Sequence, residues 1–123
     1  MYFLTFKTDF AAAHQLRWYR GKCENLHGHN FKVEVVVKGA ELDRAGMLVD
    51  FVELKSAVNR CLEGLDHRNL NDLDYFATTV NPSAENLAKY IFDDVARAMP
   101  PQASVDSVTV YETDRCAATY RSS

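Results

Sequence analysis

A chain of 123 residues, 47% hydrophobic and 25% charged, has the length of one ordinary domain, residues 1–123, and the balance of a globular protein. Its formal net charge of −3 gives no general electrostatic reason to bind nucleic acid or an anionic membrane, and no apolar stretch approaches the roughly 20 residues of a membrane helix. Cys23, Cys61 and Cys116 are odd in number and form no C-x-x-C pair, so they suggest neither a disulfide framework nor a zinc knuckle and suit a reducing cytoplasm.

The N-terminal "MYFLTFKTDFAAAH" ends in alanines that imitate a signal-cleavage site, yet no positive charge precedes its apolar part, and it reads as a mature cytoplasmic N-terminus. From Tyr2, apolar residues fall on even positions (Leu4, Phe6, Phe10, Ala12), which predicts a first strand with His14 at its end. "RWYRGK", residues 17–22, is a loop. A second strand then sets His27, His29, Phe31, Val33, Val35 and Val37 on one face, because successive side chains alternate. Asp50 with Glu53 announces a helix that carries Leu54, Val58, Cys61, Leu62 and Leu65. Pro82 and Ser83 announce another, with Leu87, Ala88, Ile91, Phe92, Val95 and Met99 on one stripe, stopped by Pro100 and Pro101. "SVDSVTVYE" and "CAATYR" alternate as two last strands around the turn "TDR". The order ββααββ predicts an α+β fold, a four-stranded antiparallel sheet with two helices on one face. Such a sheet leaves one face and two edges to be covered, and a homo-oligomer that joins the edges would do so.

The chemistry concentrates in "CENLHGHN", residues 23–30. His27 and His29, at i and i+2 on a strand, project to the same side and can converge on one ion. A hairpin between the first two strands brings His14 near as a third ligand. Three imidazoles leave a coordination position open, the pattern of a catalytic site. Cys23 is either a fourth ligand in a closed site or a nearby base. In "LDHRNLND", Asp66 precedes His67, and a carboxylate that fixes an imidazole tautomer makes it a better proton carrier. A solvated turn is the plainer alternative. Glu112 shares parity with Val108 and Val110, where a lone carboxylate would be costly; its two oxygens suit a planar pair of N–H donors. If the strand ends before it, the side chain is simply exposed.

With "DHRNLN", "NPSAENLA" and "VYET" downstream, "CENLHGHN" resembles the 6-pyruvoyl-tetrahydropterin synthase family over about Phe6 to Tyr120, and within it the 6-carboxytetrahydropterin synthase branch of queuosine biosynthesis. The resemblance implies Zn²⁺ on His14, His27 and His29, catalysis by Cys23 with an Asp66/His67 proton relay, and a pterin anchored on Glu112. It implies the tunnelling fold (T-fold), in which three sheets close into a barrel and two trimers stack as a homohexamer with active sites between subunits. Three residues separate Cys23 from His27, as in the carboxy-forming branch. This implies 7,8-dihydroneopterin triphosphate as substrate and 6-carboxy-5,6,7,8-tetrahydropterin, acetaldehyde and triphosphate as products. Arg17, Arg20 and Lys22 are candidates to meet the triphosphate. A third branch replaces the cysteine with glutamate and performs an aldolase-type cleavage, and Glu24 lies one position off that register. Phe31 stands where many members carry tyrosine. The rival expectations are a 6-pyruvoyl-tetrahydropterin synthase, a non-catalytic pterin-binding module and a zinc-stabilised structural protein.

Overall fold

The computed structural model describes residues 1–21 and 24–122. Along the chain lie β1 (Tyr2–His14), β2 (His27–Gly39), α1 (Phe51–Glu63), β3 (Arg68–Asn69), α2 (Ala84–Ala96), β4 (Ser104–Tyr111) and β5 (Ala117–Arg121), with single 3-10 turns at Leu70–Asp72 and Asp74–Phe76. The strands form one sheet in the order β3-β1-β2-β4-β5. The pairs β1/β2, β2/β4 and β4/β5 are antiparallel, whereas β3 runs parallel to β1, with Ala12 opposite Arg68 and Ala13 opposite Asn69. The expected four-stranded antiparallel sheet is therefore a five-stranded mixed one. The extra strand exists because the chain leaving α1 docks on the edge of β1, and two residues are too few to show a period.

The inward parity read from β2 holds: Phe31, Val33, Val35 and Val37 are buried, as are Phe10, Ala12 and His14 of β1. β4 needs a correction of register. A bulge between Val36 and Val37 of β2 pairs these residues with Ser107 and Val105, skipping Asp106, so Val105 and Val108 both face inward although three apart. The helices start where their caps predict. The Asp50 carboxylate accepts the Val52 N–H, and the Ser83 hydroxyl accepts that of Asn86. Their apolar stripes, Leu54, Val58 and Leu62 on α1 and Leu87, Ile91 and Val95 on α2, close one core with the inner face of the sheet.

The other sheet face is polar. Lys32 pairs with Asp114 at 2.7 Å, Asp106 lies between Lys38 at 3.6 Å and Arg121 at 3.1 Å, and the Thr109 and Thr119 hydroxyls meet at 2.7 Å. No helix among the described residues is long and apolar enough to cross a membrane.

Candidate metal centre and its surroundings

The β1/β2 register decides the site. Thirteen consecutive pairs end with His14 directly opposite His27, so the last residue of one strand meets the first of the next. His29 stands two residues further along β2 on the same inward parity. The three rings pack edge to face, with centroids 4.7 Å apart for His14/His27, 5.2 Å for His14/His29 and 4.7 Å for His27/His29. Phe31 forms the floor, edge-on to His14 and His29 and stacked on Phe10.

Hydrogen bonding fixes which way the His14 and His27 rings face. His14 Nδ1 lies 2.7 Å from the Pro82 carbonyl, and His27 Nδ1 lies 2.8 Å from the Asn25 carbonyl. A carbonyl only accepts, so both Nδ1 atoms donate and Nε2 is the atom of each ring left to bind a metal. Those two Nε2 atoms face each other at 3.1 Å. Two ring nitrogens so placed repel unless a proton or a metal ion lies between them. His29 Nε2 is buried without a hydrogen-bond partner among the described residues, 3.2 Å from Glu112 Oε1. Burial holds the His29 imidazole below its ordinary pKa; the Glu112 charge opposes this, and His14 and His27 add to it. The ring is thus neutral near pH 7, the form that binds a metal.

One ligand atom each from His14, His27, His29 and Glu112 lies within 4.8 Å of the others, a group that can hold a metal ion. Imidazole nitrogens with one carboxylate oxygen fit a divalent ion of zinc type. Glu112 is the unexpected member. It lies just past the end of β4, where its N–H closes the hairpin on the Cys116 carbonyl, and a third of its side chain is exposed. Its place beside β2 needs the β4 pairing, which the sequence alone did not supply.

Asp66 and His67 touch each other. Asp66 Oδ2 lies 3.0 Å from His67 Nδ1, while Asp66 Oδ1 accepts the Ala11 N–H at 2.9 Å and the His67 N–H returns to the Ala11 carbonyl at 2.6 Å. The pair is thereby clipped to the edge of β1, three residues before His14. The Ala11 N–H, helped by His67, holds the Asp66 carboxyl below the ordinary carboxylate range. His67 has φ +59°, in the left-handed region, a strain of about 1–2 kcal/mol for a residue with a Cβ. Its ring is exposed and borders an open depression of about 580 Å³ floored by Ala11, Ala13, Gly28 and Asn30.

The basic loop divides. Arg17 is half-buried, with its guanidinium donating to the Val80 carbonyl at 2.7 Å, whereas Arg20 is exposed, with φ +51°. Cys23 and Lys22 lie outside the described residues. The Glu24 carboxylate sits on the outer side of His27, 3.8 Å from Nδ1, and accepts the Leu16 N–H.

A family model described as 6-pyruvoyl tetrahydropterin synthase matches residues 3–123. A 6-pyruvoyl tetrahydrobiopterin synthase of Poecilia reticulata is 37% identical over 97% of this chain and 89% of its own length. A Pyrococcus furiosus dihydroneopterin monophosphate aldolase is 34% identical over 89% and 88% of the respective chains. An Archaeoglobus fulgidus protein provisionally named 6-carboxy-5,6,7,8-tetrahydropterin synthase is 39% identical over 72% and 71%. The solved structure of Caenorhabditis elegans 6-pyruvoyl tetrahydropterin synthase superimposes with a TM-score of 0.83 at 34% identity, covering 100% of this chain and 98% of that one.

Proposed function

Because the chain belongs to the 6-pyruvoyl tetrahydropterin synthase family, we propose that it is a zinc-dependent 6-carboxy-5,6,7,8-tetrahydropterin synthase. Its substrate would be 7,8-dihydroneopterin triphosphate and its products the 6-carboxy pterin, acetaldehyde and triphosphate, in the making of a 7-deazaguanine such as queuosine. The single observation that carries the metal half of this reading is the pair of Nε2 atoms at 3.1 Å, each fixed by a backbone carbonyl on the far side of its ring. His14, His27 and His29 would hold the ion. Bound there, Zn²⁺ supplies Lewis acidity toward the substrate's side-chain hydroxyls.

The chain's own groups take the remaining roles. Glu112 receives the N–H edge of the pterin with the carboxylate oxygen not turned to His29, which sets the heterocycle beside the imidazoles. Asp66 holds His67 as its Nδ1–H tautomer, so Nε2 is the atom that takes or gives a proton. Cys23 is the second proton carrier, as the family resemblance implies. Arg20 and Lys22 are offered to the triphosphate; Arg17 is already engaged with Val80, which turns it toward bracing the loop. The polar sheet face, the edge of β1 beyond the two residues that β3 covers, and the edge of β5 unpaired among the described residues suit a homohexamer whose sites lie between subunits, in a cytoplasmic enzyme.

The aldolase-type reading rests on Glu24, and its position behind His27, away from the shared centre of the rings, ranks it second. Incubation with 7,8-dihydroneopterin triphosphate separates the readings. Acetaldehyde with free triphosphate and a 6-carboxy pterin is the expected outcome. Triphosphate with a pyruvoyl side chain indicates the sibling synthase, and an aldehyde fragment that keeps its phosphates indicates the aldolase. Binding of the pterin without any turnover would leave only a binding module.

A further inference from the structure

β1 stops at His14, yet the next three residues are held as firmly as a strand. Gln15 donates its N–H to Asn71 Oδ1 and accepts from Asn71 Nδ2, both at 2.8 Å. Arg17 does the same with Asn81, at 2.9 and 2.8 Å. Leu16, between them, pairs with Glu24, whose N–H reaches the Leu16 carbonyl at 2.9 Å and whose carboxylate takes the Leu16 N–H at 3.2 Å. Hydrogen bonds that alternate between one partner at residues 15 and 17 and another at 16 follow the pattern of a strand inside a sheet. Here two carboxamides stand in for a neighbouring strand, since a carboxamide offers one donor and one acceptor, as a peptide group does.

The consequence falls on His14. Its Nδ1–H donates to the Pro82 carbonyl, and Pro82 follows Asn81 directly. Asn81 is fixed at both ends, by its carboxamide on Arg17 and by its own carbonyl, which accepts from Asn86 Nδ2 at 2.9 Å. The carbonyl that orients the imidazole is therefore set by the same residue that grips the chain leaving it.

We infer that Asn71 and Asn81 are positioning residues for His14, holding the chain beyond it as a surrogate strand while Asn81 also fixes the carbonyl that turns Nε2 toward His27. This rests on the metal reading above and adds to it residues that touch neither ion nor substrate. Loss of such outer hydrogen bonds weakens metal affinity by about 10- to 100-fold.

The test uses the full chain, metal-free, titrated with Co²⁺, and the ¹⁵N spectrum of its histidine side chains before metal is added. Asn81→Ala should weaken Co²⁺ binding by about 10- to 100-fold, and should spread His14 over both tautomers where the wild type shows only the Nδ1–H form. Asp43→Ala is the control, because Asp43 clamps the Ala45 and Met47 N–H groups in a distant turn. It should lower thermal stability and leave Co²⁺ affinity and the His14 tautomer unchanged. If Asn81→Ala does not fold, Asn81→Asp keeps the acceptor for the Arg17 N–H, loses the donor to the Arg17 carbonyl, and should give the same direction of change. Wild-type affinity with a single His14 tautomer in the Asn81 variant, or equal weakening by Asp43→Ala, overturns the inference. A wild-type chain that takes up no Co²⁺ defeats the metal reading instead, while the tautomer measurement still judges the positioning role.

Discussion

Glu112 stands where two roles meet, as a fourth metal ligand or as the anchor of a heterocycle, and Glu112→Gln separates them. The substitution keeps shape and one acceptor oxygen but replaces the other oxygen with a donor. Against a ligand edge made of N–H groups, that removes one charge-assisted hydrogen bond and opposes donor to donor. Such bonds contribute about 1.5–3 kcal/mol. Because 36% of the side chain is exposed, the lower half of that range applies. About 2 kcal/mol corresponds to a loss of roughly 30-fold in pterin affinity. His14, His27 and His29 remain to hold the ion, so metal content should stay at the wild-type level. The assay is paired: metal per chain by elemental analysis after dialysis, and the Kd for a non-reactive pterin by calorimetry. Unchanged pterin affinity refutes the anchor argument, and a variant emptied of metal under the same dialysis makes Glu112 a ligand.

The remaining predictions concern metal, acid and caps. At an ion concentration about 100 times its Kd, binding to the folded chain alone adds about 2.7 kcal/mol, so chelation should lower Tm by roughly 10 °C without unfolding the protein at 25 °C, as scanning calorimetry would show. Asp66 has a pKa lowered in the folded chain, so its stabilising effect is complete above the ordinary value of 3.8 and is lost as pH falls from there through the folded value. The stability difference between wild type and Asp66→Asn should be constant above about pH 5 and shrink below 3.8; a constant difference down to pH 2 would contradict the Ala11 clip. Asp50→Ala removes the cap on Val52 and should cost about 1 kcal/mol, or about 3–5 °C in Tm, with metal binding unaffected.

What could be read from the sequence follows from how local each signal is. The alternation from His27 to Val37 and the caps at Asp50 and Ser83 are properties of a few adjacent residues, and they appear in the structure at those positions. The closeness of His14 to His27 and His29 was legible because a hairpin joins ends with beginnings, and the pairing of His14 with His27 is its consequence. β3 was not, since a two-residue strand exists only by virtue of the edge it docks on. The same holds for Glu112, placed next to His29 by a β2/β4 register that includes a bulge, and for Asn71 and Asn81, 55 or more residues from the backbone they grip. Their motifs "DHRNLN" and "NPSAENLA" mark them in the sequence. Nothing in a local pattern says that their carboxamides replace a strand.

The same geometry bears on whether the ion serves structure or chemistry. In a domain whose fold depends on its metal, the ligands are the core, and removing the ion removes the reason to be compact. Here the imidazoles sit at the end of a sheet whose interior is filled by Phe10, Phe31 and the valines of β2 and β4 against α1 and α2, and of these side chains only Phe31 packs on the histidine rings. His14 and His27 are oriented from behind, by the Pro82 and Asn25 carbonyls, as well as by their edge-to-face packing. The fold thus holds two ring nitrogens 3.1 Å apart, an arrangement that a proton or a metal ion between them satisfies. A site held this way is preorganised, with its donor atoms in place before an ion binds. On the proposed reading, where the three imidazoles alone hold the ion, a position would stay open for a substrate oxygen, which a folding ion has no use for.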